Sequence, residues 1–173
     1  MKIFFLILVT FALTACSKPH DKYLGYWQLE DTKYPKILSI YKEDKETYLV
    51  NENILAEKDF FGNKKTGTVL EKKDKELGVN NGLTVIPFTL SSDGSTLRIT
   101  NSKYIRITEA EAQTALKNKK ACSDLRTQYL EESKSFNLFA KGAEKTEQDQ
   151  IKTRFLDMQK QIPDCQFHIG QAF

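Results

Sequence analysis

Residues able to do chemistry are few in this chain. Three cysteines and two histidines stand among 173 residues. His20 lies in a polar stretch near the N-terminus and His168 in the C-terminal tail, both outside any segment with helical or strand periodicity. The sequence holds no H-E-x-x-H, C-x-x-C, G-x-S-x-G or phosphate-loop glycine pattern. The spacings that metal-assisted hydrolysis, thiol exchange, acyl transfer or nucleotide binding require are therefore missing. Ser91-Ser92-Asp93-Gly94-Ser95 reads as a hairpin turn rather than a nucleophile site. The carboxylates of Lys42–Glu46 and Glu71–Glu76 alternate with lysines, as solvated strand ends and turns do. This inventory predicts binding rather than catalysis, with no catalytic residue, cofactor or metal.

The third cysteine has a different setting. Met1-Lys2 gives a short cationic start, and Ile3 to Leu13 is an uncharged run broken only by Thr10. That run is too short for a membrane-spanning helix of about twenty residues and has the length of a signal-peptide core. Leu13-Thr14-Ala15-Cys16 follows it and resembles the lipobox of bacterial lipoproteins. The resemblance implies that residues 1–15 are cleaved as a signal peptide. It further implies that the Cys16 thiol carries diacylglycerol and that its new amine carries a further acyl chain such as palmitate. Each buried methylene contributes about 0.8 kcal/mol, so several chains anchor firmly where one is marginal. In Gram-negative members an Asp after the Cys favours retention at the inner membrane. Ser17 stands there, so the implied address is the inner leaflet of the outer membrane, facing the periplasm.

An exported chain changes the reading of the other two cysteines. Cys122 and Cys165 are an even pair in an oxidising compartment, and a disulfide between them is expected. The formal charge of +3 includes Lys2, so the mature chain is close to neutral. No long basic block occurs, which together with the compartment excludes nucleic acid as a partner. By length, residues 16–173 make one domain, or a small domain with an appended helical piece.

The elements that must position these residues fall into two regions. Residues 16–22 form a polar, lipidated tether spanning roughly 20 Å when extended. From 23 to 108, β-type runs at about ten-residue spacing (Tyr26–Glu30, Ile37–Tyr41, Thr47–Val50, Thr66–Leu70, Leu77–Val79, Leu83–Leu90, Thr96–Thr100, Tyr104–Thr108) alternate with turn signals. Gly62-Asn63, Asn80-Asn81-Gly82 and Ser92-Asp93-Gly94 supply residues that accept positive φ. About seven or eight short strands predict an antiparallel meander closing into a small barrel or sandwich. Pro87 predicts an edge or bulge. From 109 to 173 the pattern turns helical, giving an α+β chain. Thr108-x-x-Glu111 has capping-box spacing, a second helix is expected over Ser123–Phe139 with Leu125, Tyr129 and Leu130 inward, and Gly142 breaks it. A last helix opening at Thr146-x-x-Asp149 carries Ile151, Phe155, Met158 and Ile162 on one face and ends before Pro163. A Cys122–Cys165 bridge would then close a helical hairpin at its base.

Gly25-Tyr26-Trp27 on the first strand resembles the G-x-W that opens the barrel of lipocalins and small lipocalin-like domains. There the Trp plugs one barrel end and the Gly allows close chain passage, which implies a barrel with an apolar ligand inside. The short strands and the large helical region depart from that pattern. Trp27 is thus a core or binding candidate, and Phe60-Phe61, an apolar pair before Gly62-Asn63, reads as a core plug, a membrane-dipping tip or a partner-binding anchor. The expectation is a lipid-anchored periplasmic module, non-enzymatic, that binds a protein partner of inhibitor, immunity or envelope-assembly type. A lipocalin-like binder of a small apolar ligand is the alternative.

Overall fold

Gly25–Leu29 (β1), Ile37–Lys42 (β2), Tyr48–Asn51 (β3), Thr68–Lys73 (β4), Glu76–Asn80 (β5), Val85–Leu90 (β6), Thr96–Ile99 (β7) and Ser102–Ile107 (β8) each pair antiparallel with the next strand. β8 returns to β1 through Tyr26↔Ile107 and Trp27↔Arg106, closing the meander into a barrel. The structure is a computed structural model and describes residues 18–56, 67–137 and 139–170. Two helices follow the barrel, Glu109–Glu132 (α1) and Gly142–Lys160 (α2).

Alternation along each strand decides what fills the barrel. Trp27, Leu38, Ile40, Tyr48, Val50, Leu70, Leu77, Phe88 and Leu97 point inward and form one buried cluster with Tyr23. Val79, Leu90, Ile99 and Tyr104 pack against it. At roughly 1.5–3 kcal/mol per buried large apolar side chain, this cluster is the main stabilising feature of the barrel. On β8 the polar-looking side is the inner one. Tyr104 packs on the core and Arg106 lies over Trp27, whereas Ile107 points outward into a second cluster with Ile37, Leu55 and Ala112.

Closure removes every edge strand, so Pro87 needs a different accommodation from the one expected. It pairs with Gly78 on β5, while β7 pairs with β6 only from Phe88 onward. Pro87 therefore sits past the end of the β6–β7 ladder and costs it no hydrogen bond. Gly78 is required opposite, because a Cβ there would meet the Ile86 carbonyl oxygen at 2.7 Å.

The capping box forms as expected: the Thr108 N–H donates to Glu111 Oε2 at 2.7 Å and the Glu111 N–H to Thr108 Oγ1 at 3.2 Å. What it caps differs from the expectation. Two helices were expected between residues 109 and 139, but α1 runs unbroken through both, since nothing between Ala110 and Glu132 interrupts helical propensity. Its first half lays Ala112, Ala115 and Leu116 on the barrel wall, and its second half packs Leu125 and Tyr129 against Phe155 of α2. Leu130 and Met158, expected inward, are exposed. α2 also begins one turn early, at Gly142, with no side-chain cap. Thr146 is inside the helix and donates to the Gly142 carbonyl rather than capping. Cys122 and Cys165 lie at disulfide-bonding distance, with Cα atoms 5.3 Å apart. Because Cys122 is mid-helix, the bridge ties the segment after α2 to the middle of α1 rather than to its start.

Candidate functional site

The up-and-down path gives the barrel two ends with different chemistry. One end carries the chain entering β1 and the β2–β3, β4–β5 and β6–β7 turns; the other carries the β1–β2, β3–β4, β5–β6 and β7–β8 connections.

The first end is closed by the segment before β1. Residues 18–22, expected to be free tether, are docked against the barrel. Asp21–Tyr23 forms a short 3-10 turn, and Tyr23 is buried in the barrel core. Trp27, fully buried, donates its indole N–H to the Tyr23 carbonyl at 3.0 Å. The Arg106 guanidinium lies 4.1 Å from the Trp27 ring centroid. It donates to three backbone carbonyls: Gly94 at 2.8 Å, Leu24 at 2.8 Å and Lys22 at 2.5 Å. Arg106 thereby staples the entering chain, the β6–β7 turn and the Trp into one unit. Its burial pushes the guanidinium pKa down from its ordinary value. Gly25 is required beside it: φ is +126°, and a Cβ would lie 3.1 Å from Arg106 Nη1.

Charged groups reinforce this closure. Tyr48 donates its hydroxyl to Asp21 Oδ1 at 2.5 Å, and Lys42 pairs with the same oxygen at 2.6 Å. The hydrogen bonds from Lys42 and then Tyr48 hold the Asp21 carboxyl below its usual range, and the bond to Asp21 raises Lys42. Lys18 and Lys72 both pair with Glu46, which they lower to about 2. His20, expected in a free tether, is buried edge-on to Tyr48, with ring centroids 5.9 Å apart.

The carboxylates with the most depressed pKa are thus turn and closure groups. Asp93, lowered to about 2, accepts from the Ser91 hydroxyl and from both the Ser95 N–H and hydroxyl. This is the hairpin turn that Ser91–Ser95 was read as, completed by Gly94 at φ +72°. Among the described residues no group of His, Cys, Asp and Glu could hold a metal ion. No described helix is long and apolar enough to cross a membrane.

The opposite rim carries exposed apolar side chains. Leu83, at the tip of the β5–β6 turn, is 95% exposed, and Tyr34 in the β1–β2 loop is 52% exposed. Between this rim and the helical hairpin lies a groove of about 540 Å³ lined by Tyr34, Pro35, Lys36, Leu55, Ala115, Lys119, Cys122 and Asp164, among others. Sequence reasoning did not single out Tyr34 or Leu83. Leu83 directly follows the Asn81-Gly82 turn pair, and an apolar residue at a hairpin tip is the local signal by which it can be found. Trp27 proves to be a core residue at the closed end. Phe60, Phe61 and the lipidation candidate Cys16 lie outside the described residues.

The fold and these surfaces define a class: an eight-stranded up-and-down β-barrel with a disulfide-tied helical hairpin. Comparison with protein-family models, curated proteins and solved structures found no match for this chain.

Proposed function

We propose that residues 16–173 are a lipid-anchored periplasmic module that binds a protein partner and catalyses no reaction. The observation that carries the reading is the packed barrel. Its interior is occupied by aromatic and aliphatic side chains and closed by Tyr23 and Trp27, so recognition falls to the outer surface. The rim offers Tyr34 and Leu83 beside a polar-edged groove, the mixture of apolar anchor and polar surround found at protein interfaces. The catalytic inventory supports the same reading, since the depressed carboxylates are satisfied within turns and ion pairs.

The test is a pull-down from envelope extracts with the mature chain and a Tyr34→Ser/Leu83→Asp variant. A partner enriched on the parent and lost on the variant is expected. Identical profiles would refute the rim as the binding surface.

A second reading, a lipocalin-like carrier of a small apolar ligand, is favoured by Gly25-Tyr26-Trp27 at the start of β1. Native mass spectrometry of the purified protein separates the two. The protein-binding reading expects no co-purified apolar molecule, and one such molecule per chain would favour the carrier.

A further inference from the structure

We propose that the closed end of the barrel is a membrane-contact surface that rests on phospholipid headgroups, leaving the open rim and helical hairpin turned away from the bilayer. This rests on the reading of Cys16 as a lipid anchor. Tether length makes the first argument. Lys18 is fixed on the barrel: its carbonyl accepts the Asp21 N–H at 2.9 Å, and its ammonium pairs with Glu46 and donates to the Lys45 carbonyl at 3.2 Å. Beyond it the chain is gripped through Lys22, Tyr23 and Leu24. Ser17 is then the only residue between the anchor and the docked chain. At about 3.5 Å per residue, the Cys16 and Lys18 Cα atoms are at most roughly 7 Å apart. The β2–β3, β4–β5 and β6–β7 turns share that end and must lie against the headgroup layer.

The second argument is surface chemistry. The β2–β3 turn is Glu43-Asp44-Lys45-Glu46-Thr47, the β4–β5 turn Asp74-Lys75, and the β6–β7 turn Ser91-Ser92-Asp93-Gly94-Ser95. These tips carry no large apolar side chain. They offer both charges, Lys45 and Lys75 toward phosphate and Glu43 and Asp74 toward the amine of phosphatidylethanolamine, while Asp44, Glu46 and Asp93 are held within the turns and ion pairs. Exposed Leu83 and Tyr34 are at the opposite rim and exposed Phe139 is in the helical hairpin, while Tyr41 and Val69 are exposed on the barrel wall and not on these tips. Among the described residues the contact is therefore polar and peripheral, with insertion left to the acyl chains of Cys16.

Single cysteines introduced at Lys45 and Ser92 (closed end) and at Leu83 (open rim) test the proposal, with the Cys122–Cys165 bridge kept. Each lipidated full chain is labelled with a fluorescent donor and incorporated into phosphatidylethanolamine/phosphatidylglycerol vesicles containing a headgroup-labelled acceptor lipid. Transfer several-fold stronger at Lys45 and Ser92 than at Leu83 is expected. Equal or reversed transfer in protein that floats with the vesicles overturns the orientation alone. Protein that does not float, with a Cys16 peptide lacking diacylglycerol by mass, removes the anchor and the orientation together. A flexible Gly/Ser insertion of about ten residues between Ser17 and Lys18 lets the barrel move away and should narrow the difference while leaving flotation unchanged. A difference that survives the insertion contradicts the tether-length argument.

Discussion

Arg106 concentrates more structural roles than any other polar side chain of the barrel. Its guanidinium holds the entering chain by two carbonyls, the β6–β7 turn by a third, and the face of Trp27. Arg106→Met would leave three carbonyls without their charged donor, and a loss of about 2–4 kcal/mol in urea unfolding is expected. By contrast Lys134→Ala, which removes an exposed i,i+3 pair with Glu131, should change stability by less than about 0.5 kcal/mol. Thr100 is a residue where stability is open to gain. It holds φ at +51° in the two-residue turn between β7 and β8, a conformation a β-branched side chain resists. Thr100→Gly should raise the urea midpoint by the equivalent of about 0.5–1 kcal/mol, and a lowered midpoint would show that its hydroxyl bond to the Ile99 carbonyl outweighs the strain. The acid limb of stability has a sign fixed by Glu46 and Asp93. Both carboxylates are depressed to about 2 in the folded chain, so their contribution is full above the ordinary carboxylate range and is lost as pH falls toward 2. Unfolding midpoints should therefore drop between about pH 4.3 and 2, and a Glu46→Gln/Asp93→Asn variant should show a flatter profile. At this scale the sequence was partly legible. The Asn80-Asn81-Gly82 and Asp93-Gly94 turns announce themselves, whereas Asp74 and Thr100 adopt positive φ without any glycine to signal it. The pairing of Arg106 with Trp27 joins residues far apart in the chain, which no local spacing encodes.

Among the elements, strand positions were the most readable, because period-two alternation and turn residues act locally and closure only had to join β8 to β1. Which face of β8 points inward was not readable. Ile105 and Ile107 look like the core face, but α1 covers Ile107 from outside, and the inner face is taken by Tyr104 and Arg106. The helices were less legible for a related reason. α1 serves two cores, so its apolar positions shift from Ala112 and Leu116 on the barrel to Leu125 and Tyr129 on α2, and one helix reads as two. That division predicts separable stability. The bridge closes a loop with a sequence separation of 43, for which the chain-entropy model gives about 4 kcal/mol. Reduction should weaken the α1–α2 hairpin and lower the helical far-ultraviolet signal on mild heating. Trp27, the single tryptophan, lies in the barrel and should keep its native emission under the same conditions. Simultaneous loss of both signals would mean that hairpin and barrel unfold as one unit. Thiol titration of the unreduced protein should find neither Cys122 nor Cys165 reactive.

For the whole molecule, the barrel is a solid body with its N-terminal segment fastened across one end, Leu83 and Tyr34 exposed at the other, and Tyr41 and Val69 exposed on the β2 and β4 wall. With Cys16 as the proposed anchor, the docking of Lys18–Tyr23 would cut the tether from an expected span of about 20 Å to roughly 7 Å. The proposed anchoring would leave Tyr34, Leu83 and the groove beside Lys36 and Lys119 facing the periplasm. Cys16→Ala should yield an unprocessed, unlipidated precursor, and normal processing would refute the lipobox. The most direct test of the protein-binding account is in-cell photo-crosslinking, with a photoreactive residue placed at Leu83 or Tyr34 and, for comparison, at Ser92. The account predicts a protein adduct of one discrete size from the two rim positions and none from Ser92. Rim positions that yield no protein adduct, or an adduct confined to Ser92, would contradict it.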